Sequence, residues 1–309
     1  MARSAGTCAQ HSVGGGARAL NPTIALGFPL AFWIAVAGVL GLIIGSFLNV
    51  VILRLPARME WFWKREAREM LELAADDVPA PPDLVRKGSH CPHCKHPLAA
   101  WDNIPLLSWL LLRGRCRYCK TSISMQYPLV ELLCGIASAI VVWHFGLTWQ
   151  AAAGLVFTWM LIAAGGIDFR TQLLPDSLTQ PLLWLGLLLS LVPVFAGTRE
   201  ALIGAAIGYL ALWSVYWLFK LATGKEGMGY GDFKLFAAAG AWMGYAALLP
   251  VIILAALSGA IIGIIMLRVR GQDRSVPFAF GPFLAIAMWV WLIAGDQILA
   301  VYLHLAGLR

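Results

Sequence analysis

The sequence predicts an all-α, polytopic membrane protein of about eight transmembrane helices, on three observations. Hydrophobic residues fill 60% of its 309 positions and charged residues only 13%, with a mean hydropathy of +0.76. That balance is too apolar for a soluble domain of this length. Eight stretches approach the roughly 20 apolar residues that one membrane helix needs. When those stretches alternate across a bilayer, nineteen of the 23 Lys and Arg fall on one side, as they do in cytoplasmic loops. The net charge of +7 is then topology beside anionic lipid and not a signal for nucleic acid.

In chain order, residues 1–28 are rich in Gly and Ala and show no periodicity, so they read as a flexible tail. The first span, 29–53, runs apolar to Gly45-Ser46-Phe47-Leu48-Asn49-Val50 and stops at Arg54. Residues 54–127 form the one sizeable polar region, on the cytoplasmic side. Within it, Glu60 to Ala75 carries mixed charge at helical spacing together with Trp61 and Trp63, an amphipathic helix at the membrane surface. The stretch Asp76-Asp77-Val78-Pro79-Ala80-Pro81-Pro82 breaks that helix.

Two CxxC pairs follow, Cys91/Cys94 and Cys116/Cys119, separated by 21 residues. Each supplies two sulfurs from one turn, and together they complete a tetrahedral four-thiolate site for structural Zn2+. A reducing cytoplasm argues against disulfides, and metal supplies folding free energy that so small a region lacks. His90, His93 and His96 flank the first pair, but four thiolates already fill the shell. Cys134 reads as a small apolar helix residue, and Cys8 has no partner pair.

The remaining 128–309 holds seven spans, at about 128–147, 150–167, 178–196, 201–221, 233–247, 249–268 and 283–305. The fourth and sixth of the eight are short, and the sixth is rich in Ala and Gly, suited to helix packing more than to lipid contact. Asp176 or Ser177 is placed to cap the fourth. Asp168 closes the third span and Asp232 opens the sixth, in Gly229-Tyr230-Gly231-Asp232, so the alternation brings both carboxylates to the cytoplasmic edge. An ionisable residue at the edge of a bilayer is a functional candidate. Asp232 also reads as a helix cap. Asp168 is harder to explain as scaffold, because a helix C-terminus disfavours negative charge, with Arg170 the nearest compensation. Lys234 reads as favouring an anionic Asp232 or as snorkelling to lipid phosphate.

These motifs, in this order, resemble those of the type IV prepilin leader peptidase/N-methyltransferase family of GxGD aspartyl membrane proteases. The resemblance rests on Gly45 to Val50 with Arg54-Leu55-Pro56, and on both CxxC pairs around Asp102-Asn103-Ile104-Pro105-Leu106-Leu107-Ser108-Trp109. It continues through Arg113-Gly114-Arg115-Cys116, Gln126-Tyr127-Pro128 with Glu131, Leu174-Pro175-Asp176, the GxGD run, and Pro277-Phe278-Ala279-Phe280-Gly281-Pro282-Phe283. The resemblance implies a multi-pass enzyme of the bacterial inner membrane with Asp168 and Asp232 as catalytic residues. Its substrates would be prepilins and type II secretion pseudopilins, cut behind a basic leader at the cytoplasmic face. The new N-terminal residue would then be methylated with S-adenosylmethionine by the region 54–127. Gly114 matches a glycine the family needs for methylation, while a tight turn presenting Cys116 to zinc explains it equally well. Two other readings stay open: a peptidase without methyl transfer, and a non-enzymatic assembly or transport protein whose zinc loop binds a partner.

Overall fold

The computed structural model describes residues 27–74, 77–85, 88–91, 93–270 and 279–305. The expected tail, apart from Gly27 and Phe28, lies outside these residues, as do Cys8, Asp76 and Pro277-Phe278. The described chain is helical, with no strands. Its helices are α1 (Leu30–Met70), α2 (Leu107–Leu111), α3 (Gln126–Phe145), α4 (Trp149–Thr171), α5 (Asp176–Leu189), α6 (Thr198–Thr223), α7 (Tyr230–Met243), α8 (Leu248–Arg270) and α9 (Gly281–Leu305).

All eight expected spans have a helix, and among the described residues six helices are long and apolar enough to cross a membrane. The other two, α5 and α7, have 14 residues each. That is about 21 Å of helix, short of a hydrocarbon core of roughly 30 Å. Six of the eight expected spans are therefore long enough, among the described residues, to cross by length alone, and the other two are short, as the fourth and sixth were expected to be. The first span also does not stop at residue 53. α1 continues unbroken through Pro56 to Met70, so the expected surface helix is the outer half of α1.

Local chemistry sets the ends. Thr148 caps α4 by accepting the Ala151 N–H at 3.2 Å. Gly224, at φ +71, closes α6 in the left-handed conformation. α5 has no side-chain cap, contrary to the expectation for Asp176 or Ser177. Asp176 instead receives Lys234 Nζ at 2.6 Å, which joins the starts of α5 and α7.

The bundle is built around α7. Nearly every residue from Asp232 to Trp242 is buried, as its small residues led us to expect. α6 packs against it so closely that Gly204 and Gly240 meet backbone to backbone. On its other flanks, Phe233, Leu235 and Trp242 join Phe157 of α4, Leu182 of α5 and Leu284 and Met288 of α9 in one core. Trp242 donates its indole N–H to the Leu182 carbonyl at 2.8 Å, so even the largest core side chain has its polar atom satisfied. A separate contact of α1 with α3 and α4 buries Ile52, Cys134 and Ile167.

Candidate active site and metal centre

Asp168 sits in the last turn of α4 and Asp232 in the first turn of α7, and their side chains are buried. Asp168 Oδ2 accepts the backbone N–H of Gly281 at 2.9 Å. Gly281 is the first residue of α9, so the carboxylate that ends one helix lies at the positive end of another. That contact supplies the compensation sequence reading assigned to Arg170. Arg170 turns away and donates to the side-chain oxygen of Gln126.

Leu174, in the link between α4 and α5, lies against a glycine beside each acidic residue. Gly231, beside Asp232, presses on Leu174 so closely that no side chain fits between them. A Cβ on Gly281 would lie 2.6 Å from Asp168 Oδ2 and 3.0 Å from Leu174 Cδ1. The negative charge of Asp168 acts on Asp232. Asp232 also carries an orphan: its Oδ1 is buried without a hydrogen-bond partner. Buried polar atoms are rarely left unpaired, and such an exception points to chemistry or to a missing ligand. Two buried carboxylates, one anchored by an amide and one with a free oxygen, can share a proton and activate water.

The four cysteines form a second centre. One ligand atom from each of Cys91, Cys94, Cys116 and Cys119 lies within 4.8 Å of the other three, an arrangement that can hold a metal ion. Cys91 Sγ and Cys119 Sγ are 3.8 Å apart, matching the edge of a tetrahedron with metal–sulfur bonds of about 2.3 Å. The two knuckles repeat one construction. Isolated bridges, His90 to Pro97 and Arg115 to Ser122, close the turns. Within them the Cys91 N–H donates to the His96 carbonyl at 3.0 Å and the Cys116 N–H to the Thr121 carbonyl at 2.9 Å. Lys95 and Lys120, each four residues past the first cysteine of its pair, have φ of +60 and +58. The Thr121 hydroxyl and backbone amide hold the Cys119 thiol down at about 6, which favours the metal-binding thiolate. His96 stacks on Tyr118 at 3.6 Å, outside the sulfur cluster.

Gly114 is a turn residue at φ +66, and a Cβ there would meet the Trp109 ring at 2.8 Å. It therefore packs under Trp109 and is not itself part of a binding wall. Sequence reasoning missed three features. Asp102 accepts a bidentate pair from Arg117, with Nη2 at 2.6 Å, which ties the turn before α2 to the second knuckle. Leu174 packs against Gly231, the neighbour of Asp232, and against Gly281, whose N–H holds Asp168. Glu131 of α3 is 7% exposed and accepts the Leu106 N–H at 2.9 Å. Asp102 and Glu131 lay in motifs already noted, but only burial separates them from solvated acids. Leu174 carried no chemical signal at all.

Two family models match the chain. Residues 39–145 match the Bacterial Peptidase A24 N-terminal domain. Residues 155–264 match the Type IV leader peptidase family. The chain is 58% identical to the prepilin leader peptidase/N-methyltransferase of Stutzerimonas stutzeri, over 91% of this chain and 96% of that protein. It is 54% identical to the protein of that name from Pseudomonas aeruginosa, over 91% and 97%, and 46% identical to that from Neisseria gonorrhoeae, over 86% and 92%. No solved structure matches it significantly.

Proposed function

The chain belongs to the type IV leader peptidase family, and from that premise we propose that Asp168 and Asp232 cut the leader from prepilins and pseudopilins at the cytoplasmic face of the bacterial inner membrane. The observation that carries this reading is the unpartnered Oδ1 of Asp232, buried in a bundle that anchors Asp168 on Gly281. Two neighbouring carboxylates repel when both are ionised, so the pair titrates as one unit with a shared proton. The ionised member draws a proton from water. The protonated member hydrogen-bonds the scissile carbonyl and supports the tetrahedral intermediate. Gly229, where an added Cβ would meet nothing nearer than Asp232 Oδ2 at 3.8 Å, leaves an approach for extended substrate beside Asp232.

The four-cysteine cluster takes Zn2+, whose role is to hold the 88–123 lobe in shape; tetrahedral four-sulfur geometry suits that ion. Methylation of the new N-terminus with S-adenosylmethionine belongs to the same proposal. Membership of a family whose relatives carry N-methyltransferase in their name supports it.

The test incubates purified protein with a prepilin and S-adenosylmethionine and measures product masses. We expect loss of the leader plus one methyl group, and no cleavage from Asp168→Asn or Asp232→Asn. Full-length substrate with wild-type protein overturns the peptidase reading. Cleaved but unmethylated product overturns only the second activity.

A further inference from the structure

A cavity of about 560 Å³ lies between the middle of α1, the start of α3 and the four-cysteine lobe. Its size falls within the roughly 300–1,000 Å³ of small-molecule sites. Three polar features mark it as built for a ligand. Glu131 lines it and is 7% exposed, and among the described residues no cation pairs with it. Hydrogen bonds from the Leu106 N–H at 2.9 Å and from the Ser46 side chain offset only part of the cost of a buried charge. Asn49 lines the same cavity and is 1% exposed; its amide nitrogen is used on the Tyr127 carbonyl at 3.0 Å, while its Oδ1 has no partner. Gln126 also lines it, with an unpartnered buried Nε2. The other carboxylate of the wall, Asp102, is already committed to Arg117. The cavity thus has one buried carboxyl group with no cation beside it among the described residues.

We infer that this cavity is the methyl-donor site and that Glu131 is the counter-charge of the donor's sulfonium. The inference rests on the methyl-transfer half of the proposed function. In the transfer, the acceptor ammonium first gives a proton to water. The nitrogen lone pair then forms the N–C bond as the C–S bond breaks, and the electron pair of that bond goes to sulfur. Positive charge moves from sulfur to nitrogen, and a neutral thioether is left. A fixed carboxylate therefore favours the donor over its spent product. Arg54 and Lys95 also line the cavity, so a donor carrying a carboxylate beside its cationic centre meets both signs of charge. Trp109 and Tyr127 supply aromatic faces for a nucleobase.

Two further observations fit this placement. Arg170, two residues past Asp168, lines the cavity, so one helical turn links cleavage to methyl transfer and a cut substrate has a short path to its second reaction. Gly114 acts through Trp109: a side chain at 114 pushes that ring, whose Nε1 donates to the Ile123 carbonyl at 3.4 Å, into the cavity. Gly114 is then a positioning residue for donor binding.

The test is ligand binding to full-length, metal-loaded protein in nanodiscs, by equilibrium dialysis with S-adenosylmethionine and with S-adenosylhomocysteine. Glu131→Gln keeps an acceptor for the Leu106 N–H and removes only the charge. We expect it to weaken sulfonium binding by about tenfold or more, with the thioether changed less than about threefold. Gly114→Ala should weaken both ligands. Metal content and thermal midpoint report whether the variants fold. Ultraviolet crosslinking of radiolabelled donor to wild-type protein, mapped by peptide, needs no variant and should label 103–131. Equal effects of Glu131→Gln on both ligands, or no effect, overturn the counter-charge. A label mapped elsewhere overturns the site alone, whereas wild-type protein that binds no donor overturns the methyltransferase reading as well.

Discussion

Gly281→Ala is the sharpest probe of the acidic pair. Position 281 begins α9, where alanine is at least as good a helix former as glycine, so backbone propensity does not oppose the change. The added Cβ is the whole perturbation. It would stand 2.6 Å from Asp168 Oδ2 and 3.0 Å from Leu174 Cδ1. Ordinary contact requires the carboxylate to retreat by roughly 1 Å. The retreat breaks or bends the 2.9 Å bond from the Gly281 N–H. A hydrogen bond to a charged group is worth about 1.5–3 kcal/mol, and a displacement of about 1 Å in a reacting group costs on the order of a hundredfold in rate. Together these give an expected fall in kcat of about 10- to 100-fold, with KM little changed. The assay is steady-state cleavage of purified prepilin by protein in nanodiscs, alongside the thermal midpoint. A kcat within about twofold of wild type, with the fold intact, would refute the placement of α9 against Asp168.

Three other changes test other parts of the molecule. Gly240→Ala puts a Cβ against the Gly204 carbonyl, closer than real Cβ atoms come to backbone, so α6 and α7 must part; we expect about 1–3 kcal/mol of destabilisation, read as a lower thermal midpoint in detergent. Lys234→Ala removes an ion pair whose Asp176 side is 63% exposed, and should cost under about 1 kcal/mol in the same assay; a loss as large as that of Gly240→Ala would show a role beyond a surface tie. Arg117→Ala strips the partner from Asp102, whose side chain is 1% exposed, and should cost the lobe about 2–3 kcal/mol, measured as faster metal loss to a chelator at neutral pH. Arg117 holds the Asp102 carboxyl below its usual value, so the pair's contribution is full above about pH 4 and is lost only as pH falls through the depressed value.

Most of the architecture was legible because membrane helices must satisfy their backbone internally and so announce themselves by composition. Length is what composition obscured. The apolar pattern around α5 and α7 runs past the helices themselves, whose ends are set by Ser190 and by the turn at Gly244. α1 hid the opposite error. Its character changes at Arg54 while its backbone does not, because helical hydrogen bonding ignores whether the surroundings are lipid or water. The four cysteines were readable from spacing alone, since one turn per pair fixes their geometry. The acidic pair was readable as two carboxylates at the ends of apolar runs. The α9 amide that holds Asp168 was not, because a contact spanning 113 residues leaves no local trace. Glu131 and Asn49 share that fate: each lay in a noted motif, and only burial reveals what it faces.

The 41 residues of α1 form one rod of about 60 Å, and its unbroken course sets a rule for which insertions the gene can tolerate. Arg54 donates to the Asp83 carbonyl at 2.6 Å and Arg58 to the Pro81 carbonyl at 3.2 Å, so the returning chain is clipped to one azimuth of the rod. One residue added between Ile52 and Arg54 would rotate everything beyond it by about 100° and carry those clips round the axis. One residue added in the loop at 77–80, which is exposed, would be absorbed without turning anything. Length variation among descendants of this chain should therefore collect in that loop and be absent from the rod, as though the helix were a camshaft whose angular timing is fixed.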